Sequence, residues 1–333
     1  MGNCNSSVCY CCGNKESHNH NKEEEENLQK PISERNGGID LLNSPMYEVE
    51  RVAKNHEIIL VPDNFRMHDT AHETLTKDSI PIRDKKNLFL QDRSLEFKKF
   101  EIEGGLIYEG QSRKKTGERH GYGRLSWPDG SYFEGYWVDG KADGRGIFST
   151  SDGEILEGEW KKDKATGLGV FKQKDGSSMF KGYLRDDAQN GRGIELWSDG
   201  SYYNGEYKNG QKHGRGVYYW ADGSKYMGNW EQDEMHGEGE FVWADGRKYK
   251  GSFAMGMMEG EGSYEWKDGR MYQGEYQKNK KHGFGIYIYS DCSRFEGQWK
   301  NGQQDGVGFL IDKSGQNRRK GEWSKGTHVR WLD

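Results

Sequence analysis

The chain has 333 residues, of which 32% are hydrophobic and 48 are glycines, and its formal net charge is −5. The length alone would permit two domains. The low hydrophobic content, however, predicts a thin ribbon rather than a thick core. Residues 1–104 carry 14 Lys and Arg against 19 Asp and Glu, which leaves 35 of each for the rest. That neutral remainder argues against a general nucleic-acid binder, which would need a strong basic excess.

The first twelve residues predict a lipid anchor rather than a membrane span. No apolar run approaches the roughly 18 residues of a spanning helix, and no secretory signal is present, so we expect a cytosolic protein. Met1-Gly2-Asn3-Cys4-Asn5-Ser6 fits the N-myristoylation pattern, with Gly2 exposed once the methionine is removed. One myristoyl chain binds membranes only marginally, so a second signal is needed. Our interpretation is palmitoylation of Cys4, with Cys9, Cys11 and Cys12 as further sites.

Two other interpretations of this start stay open. The segment can be an unmodified disordered tail, because short Met-Gly matches are common. It can also be a metal site built from Cys9, Cys11, Cys12, His18 and His20. The Cys-x-Cys-Cys spacing lacks the paired pattern of zinc modules, so we expect no metal there.

Residues 13–104 are predicted to be a mostly disordered linker. Residues 13–44 are rich in Asn, Glu, Lys and Ser and have little to bury. Apolar runs at 57–61 and 86–90 are candidate short strands, and residues 94–102 alternate well enough to lead into a hairpin. This part is either a docking segment that lies along the rest of the chain or a tether that ends in a capping strand. We favour the tether.

From about residue 107 the sequence repeats at a fixed period of 23. When residues 202–224 are aligned with the next 23 residues, the pattern matches, with Gly214 aligned to Gly237 and Tyr207 to Trp230. Such self-similarity is typical of repeat arrays. Gly-x-Gly pairs mark the period at 121/123, 144/146, 167/169, 191/193, 214/216, 237/239, 260/262, 283/285 and 306/308, with one step of 24 from 169 to 193.

Each repeat is predicted to be a β-hairpin. Tyr203, Gly205 and Tyr207 alternate, as do the glycines and aromatics of 214–220, which is the period of strands. Asp-Gly pairs join successive units and are a strong turn signal. We expect an all-β, elongated antiparallel ribbon of about nine hairpins, on the order of 90 Å long. Its glycines are expected to leave room for aromatic rings from the neighbouring strand.

These residues resemble the MORN repeat family (membrane occupation and recognition nexus). The motif is matched by Tyr249-Lys250-Gly251-Ser252-Phe253 and, in the next unit, by Tyr272 through Gly285, and the resemblance covers about residues 107–323. It implies a solenoid-like array over 105–333 with an atypical C-terminal cap. One local departure is a one-residue insertion, which we place around Asp186-Asp187.

The resemblance also implies a role. Enzymes that carry such repeats append a catalytic domain, for which this chain leaves no room, so we expect no enzyme and no cofactor. We expect a membrane-tethered scaffold that organises protein partners at a membrane–cytoskeleton junction, on the cytosolic face of a plasma, ciliary or flagellar membrane. One alternative is a soluble axonemal, flagellar or cytoskeletal component, and a second is a module that binds anionic phospholipid (phosphoinositide). Unpaired strands at the ribbon ends would allow homo-oligomers.

Basic residues gather where the hairpins are predicted to turn. Equivalent positions of a solenoid line one edge, so these residues predict a discontinuous row that contacts anionic lipid or an acidic partner. Solvated turns explain the same clusters. The concave aromatic stripe either accepts a helix of a partner or is simply the core. The candidate edge residues are Arg113, Lys114, Lys115, Lys161, Lys162, Lys164, Lys278, Lys280 and Lys281.

Overall fold

The computed structural model describes residues 92–332, which form a single antiparallel sheet of 21 strands. Each strand pairs with the next one along the chain, and the register is set by glycines that face each other. The described part contains no helix, and therefore none long and apolar enough to cross a membrane. The predicted all-β ribbon of hairpins is confirmed.

The strands are β1 Leu95–Ile102, β2 Leu106–Arg113, β3 Arg119–Ser126, β4 Tyr132–Val138, β5 Lys141–Ser149, β6 Ile155–Lys161, β7 Lys164–Lys172, β8 Ser178–Arg185, β9 Ala188–Trp197, β10 Tyr202–Lys208, β11 Gln211–Tyr219, β12 Lys225–Glu231, β13 Glu234–Val242, β14 Lys248–Ala254, β15 Met257–Glu265, β16 Met271–Gln277, β17 Lys280–Ile288, β18 Arg294–Lys300, β19 Gln303–Ile311, β20 Arg318–Ser324 and β21 Thr327–Trp331.

A row of glycines crosses the sheet, one from each of strands β2 to β20. It starts with Gly110 opposite Gly123 and ends with Gly308 opposite Gly321. A Cβ placed on Gly216 would overlap the ring and hydroxyl of Tyr203, which lie directly above it. The prediction that rings settle over bare glycine backbone is therefore confirmed. We call this line of residues the glycine row.

A parallel line of large side chains, the ring row, packs beside the glycine row and forms the core on one face of the sheet. Tyr203 and Tyr226 are completely buried in it. The Oη atom of Tyr203 donates a hydrogen bond to the carbonyl of Glu206 at 3.0 Å. The row takes one residue from each of β1 to β19: Phe100, Tyr108, Leu125, Phe133, Phe148, Leu156, Phe171, Phe180, Glu195, Tyr203, Tyr218, Tyr226, Phe241, Tyr249, Tyr264, Tyr272, Tyr287, Phe295 and Leu310.

The turns alternate between two edges of the sheet. From the turn between β4 and β5 onward, the hairpin edge carries two-residue turns with both φ angles positive, such as Lys162 at 51° and Asp163 at 69°. That backbone matches the twist of antiparallel strands and favours Asn, Asp and Gly. The junction edge carries the Asp-Gly turns. There the carboxylate of Asp199 accepts a hydrogen bond from the backbone N–H of Ser201 at 2.8 Å.

The extra residue of the 24-residue step lies in the junction turn between β7 and β8, so its predicted place at Asp186-Asp187 is wrong. The N–H of Gln173 donates to the carbonyl of Ser178, five residues on, whereas the junction turns before and after it close over four; the last one, from Asp312 to Asn317, also closes over five. Asp186 and Asp187 form an ordinary hairpin turn with φ of 49° and 69°. A junction turn absorbs one residue without exchanging the two faces of the strands that follow.

The sheet begins at Leu95, where β1 pairs with β2, inside the stretch predicted to be linker. It ends at β21, which pairs with β20. The predicted lipid-attachment residues and the candidate strands at 57–61 and 86–90 lie outside the described residues.

Candidate partner-binding groove

The aromatic face of the sheet holds a groove of about 670 Å³ above strands β2 to β7. Its floor consists of rings from the ring row and of tryptophans that stand next to it. Phe133 and Trp160 meet edge to face, with centroids 5.0 Å apart. The indole N–H of Trp160 donates to the carbonyl of Gly146 at 3.2 Å. Because backbone carbonyls accept from the indole N–H groups of Trp137 and Trp160, these two side chains present apolar ring surface to the groove.

Small residues make the groove deep at this end of the sheet. The position two residues before each Gly-x-Gly points onto the aromatic face, and here it holds Ala142 and Ala165, both buried. The same position holds Met235 and Met258 further along, and the side chain of Met258 is buried there. Methionine fills what alanine leaves open.

The groove has an acidic rim on both edges. On the hairpin edge, Oδ1 of Asp163 accepts the N–H of Ala142 at 2.8 Å, so the carboxylate is fixed at the mouth. Asp187 lines the same rim, and Glu154 stands on the junction edge. The cation of the rim is Arg119, whose guanidinium lies 4.4 Å from the centroid of Trp137. Three carboxylates therefore face one guanidinium around this mouth.

Two lysines lie over the aromatic face further along. The ammonium of Lys212 is 5.4 Å from the ring centroid of Trp197 and 3.8 Å from the carboxylate of Asp233. The ammonium of Lys281 is 4.8 Å from the centroids of Trp266 and Tyr287. These are cation–π distances. The predicted edge residue Lys281 thus points over the rings instead of outward.

The other predicted edge residues do share the hairpin edge, because every one of them lies at or beside a hairpin turn. Their charges are partly paired. Arg113 bonds Asp139 at 2.8 Å, and Lys164 lies 3.3 Å from Asp186. The Nζ atom of Lys114 donates to the carbonyl of Arg93 at 2.8 Å. Lys115, Lys161, Lys162 and Lys278 are exposed, and Lys280 is half-buried.

Sequence reasoning missed Glu195, which interrupts the ring row. The register places it between Phe180 and Tyr203. The Oη atom of Tyr207 donates a hydrogen bond to its carboxylate at 3.0 Å. Burial raises the pKa of Glu195, and the hydrogen bond from Tyr207 opposes that rise. Aligning the repeats would have found it, because the next two units hold Tyr218 and Phe241 at the same position.

An all-β array of hairpins with one open, apolar face is a repeat protein of the scaffold or binding kind. The MORN repeat pattern matches the chain at residues 108–132, 133–155, 157–178, 180–202, 203–225, 226–246, 249–269, 272–291 and 295–316. The chain belongs to the MORN-repeat family. Repeats of this family generally serve structural or binding roles. A comparison with curated protein sequences found no match.

Several solved structures resemble the chain weakly. A mutant of the TCP10 domain of Danio rerio CPAP is 10% identical, with a TM-score of 0.33 and 71% of this chain and 98% of that chain covered. The SAS-4 (dCPAP) TCP domain of Drosophila melanogaster, in complex with a proline-rich motif of Ana2 (dSTIL), is 12% identical, with a TM-score of 0.29 and coverages of 47% and 85%. TM-scores this low carry no argument about function.

Proposed function

We propose that this chain is a non-enzymatic scaffold, tethered to the cytosolic face of a membrane by acyl chains at Gly2 and Cys4. Its groove binds a segment of a partner protein, and the array places that partner at a membrane–cytoskeleton junction. The observation that carries the proposal is the apolar groove itself. Nothing within residues 92–332 covers it, and contiguous apolar surface of this kind marks interaction sites in soluble proteins.

Photo-crosslinking in the native cell tests the groove. Benzoylphenylalanine in place of Phe148 lies on the groove floor, whereas the same probe in place of Val170 lies on the opposite face. We expect Phe148-site crosslinks to one protein that the Val170 site does not reach. Ala142→Met should abolish them, because methionine occupies that position in later repeats. The same crosslinks from both faces would contradict the proposal.

The tether is tested by Gly2→Ala. We expect the variant to move from the membrane fraction to the soluble fraction, because the acyl chain can no longer be attached to residue 2. Intact mass of the native protein should show one myristoyl and at least one palmitoyl group. An unmodified protein whose placement does not change would favour the soluble axonemal or cytoskeletal alternative.

The anionic-phospholipid alternative rests on one observation, the exposed lysines Lys161, Lys162 and Lys278 on a single edge. Unacylated full-length chain should then sediment with phosphatidylserine vesicles and not with phosphatidylcholine vesicles. The triple variant Lys161→Glu, Lys162→Glu, Lys278→Glu should lose that binding. Equal sedimentation of variant and wild type would remove this alternative.

A further inference from the structure

Glu195 is the one charged member of the ring row between β1 and β19. Every other strand in that range places an aromatic ring or a leucine at this register position. At this position a carboxylate replaces an aromatic ring of the core, and it lies between Phe180 and Tyr203 on the neighbouring strands. Residues that break a local packing rule are expected at functional sites.

The carboxylate is held in place from one side. Tyr207 donates to Oε2 at 3.0 Å, which orients the group on the aromatic face. Lys212 stands on the same face two strands away, with its ammonium 3.8 Å from Asp233. Its positive charge also lowers the pKa of Glu195, against the larger effect of burial. Burial raises the pKa of Glu195, so a cation that approaches from above would stabilise its charged form.

Glu195 lies on the same face as the groove, two strands beyond its last strand, β7. Ala142 lies on β5 and Glu195 on β9, four strand spacings or about 19 Å apart across the sheet. A helix of about 13 residues spans that distance. The lining of the groove carries three acidic residues, Glu154, Asp163 and Asp187, and one basic residue, Arg119. A segment with complementary charge is therefore basic.

The chain's own preceding segment is acidic as a whole. Residues 1–91 hold 11 Lys and Arg against 15 Asp and Glu, a net charge of −4. An acidic segment against an acidic rim is disfavoured. We therefore take the occupant to be a segment of another protein. If the basic stretch at residues 83–86 of this chain occupied the groove instead, the full-length chain would not bind an added basic peptide.

We infer that the groove takes a basic amphipathic segment of a partner protein, with an apolar side chain above Ala142 and a Lys or Arg side chain bonded to Glu195. This rests on the proposed function of the groove and adds the chemistry of its ligand. The apolar face of the segment meets the rings, and its cations meet the carboxylates at the rim and at Glu195.

Two synthetic peptides of about 18 residues test the inference, with identical leucine faces and either lysine or glutamate on the polar face. Binding to full-length chain is measured by fluorescence anisotropy at low salt. We expect the lysine peptide to bind at least tenfold more tightly than the glutamate peptide. Glu195→Gln should weaken the lysine peptide about tenfold, the scale of one charge-assisted hydrogen bond.

Two matched variants separate the outcomes. Glu157→Gln makes the same exchange on the opposite face and should leave binding unchanged, while Glu195→Lys should favour the glutamate peptide. If Ala142→Met abolishes lysine-peptide binding and Glu195→Gln binds as wild type does, the inference is overturned and the groove stands. If neither variant changes binding, the groove itself is overturned. A lysine peptide that does not bind, or binds no better than the glutamate peptide, also overturns the inference. Circular dichroism of each variant must match that of the wild type.

Discussion

At the residue scale, the glycine row supplies space and not backbone freedom. Gly216 has an ordinary backbone conformation, yet a Cβ there would overlap the ring of Tyr203. Gly210, in a hairpin turn, shows the opposite need, because its φ is 83° and a Cβ would meet nothing within 4 Å. Two glycines six residues apart are thus required for different physical reasons.

Gly216→Ala is expected to lower the free energy of unfolding by about 1–3 kcal/mol, the usual cost of overpacking a core. Gly210→Asn is the control. Asp163 and Asn279 already occupy the equivalent position with φ of 69° and 66°, so asparagine fits that turn. Urea unfolding followed by tryptophan fluorescence measures both. A Gly216→Ala variant as stable as wild type would mean that the ring of Tyr203 moves aside freely.

Glu195 predicts a dependence of stability on pH. Burial raises the pKa of Glu195 above 4.5, its value in the unfolded chain. Between these two pKa values the carboxyl group is protonated in the folded protein and ionised in the unfolded chain. Stability from this group is therefore full below the unfolded pKa and falls as pH rises through the folded pKa. Glu195→Gln should melt at the same temperature as wild type near pH 4 and at a higher one at pH 7. Calorimetry over pH 4–7 measures this, and a difference that does not change with pH contradicts it.

At the scale of the element, the hairpin turns are bonded to one another along their edge. The N–H of Asn279 donates to the carbonyl of Met258 at 3.0 Å, and its Oδ1 accepts the N–H of Met258 at 2.7 Å. Asp187 and Ala165 make the same exchange with the side-chain bond at 2.7 Å. Each hairpin turn thus aligns the turn before it.

Junction turns and strands should differ in how well they tolerate an added residue. One glycine inserted between Gly223 and Ser224 lies in a junction turn and should cost about 1 kcal/mol, the scale of a lost turn hydrogen bond. One inserted between Met227 and Gly228 sends Trp230 to the other face and should cost about 3–5 kcal/mol. Thermal unfolding compares them, and equal losses would contradict the role of the turn.

Much of this element structure could be predicted, because it depends on residues close together in the sequence. Strand alternation and the Asp-Gly turns gave the hairpins and the edge that their turns share. The turn with the extra residue was misplaced, although the spacing from Gly169 to Gly182, one longer than from Gly146 to Gly158, carried the signal. The position of Lys281 above the rings depends on side-chain direction in the folded sheet, which the repeat pattern alone does not give.

At the scale of the whole molecule, the array is a sum of equivalent units, so its length should be adjustable. Deleting residues 226–248 removes one full repeat and joins Lys225 to Tyr249, as Lys248 is joined to Tyr249 now. We expect a folded sheet that is shorter by two strand spacings, about 10 Å. Small-angle X-ray scattering measures the length.

Deleting residues 226–236 is the control for that change. It removes about one strand, so the turns that follow would fall on the wrong edge. We expect loss of sheet signal in circular dichroism from this variant alone. If both variants keep an intact sheet, the turns do not have to fall alternately on the hairpin edge and the junction edge.

Pairing between sequence neighbours has a consequence for how the protein is made. Within residues 92–332 no strand waits for a distant segment before it can pair. Such local topology favours fast folding. During synthesis from the N-terminus, each new strand can therefore pair with the edge strand of the sheet that has already folded. At any moment the newest strand is the exposed edge, and it is the one that chaperones must protect from pairing with other chains.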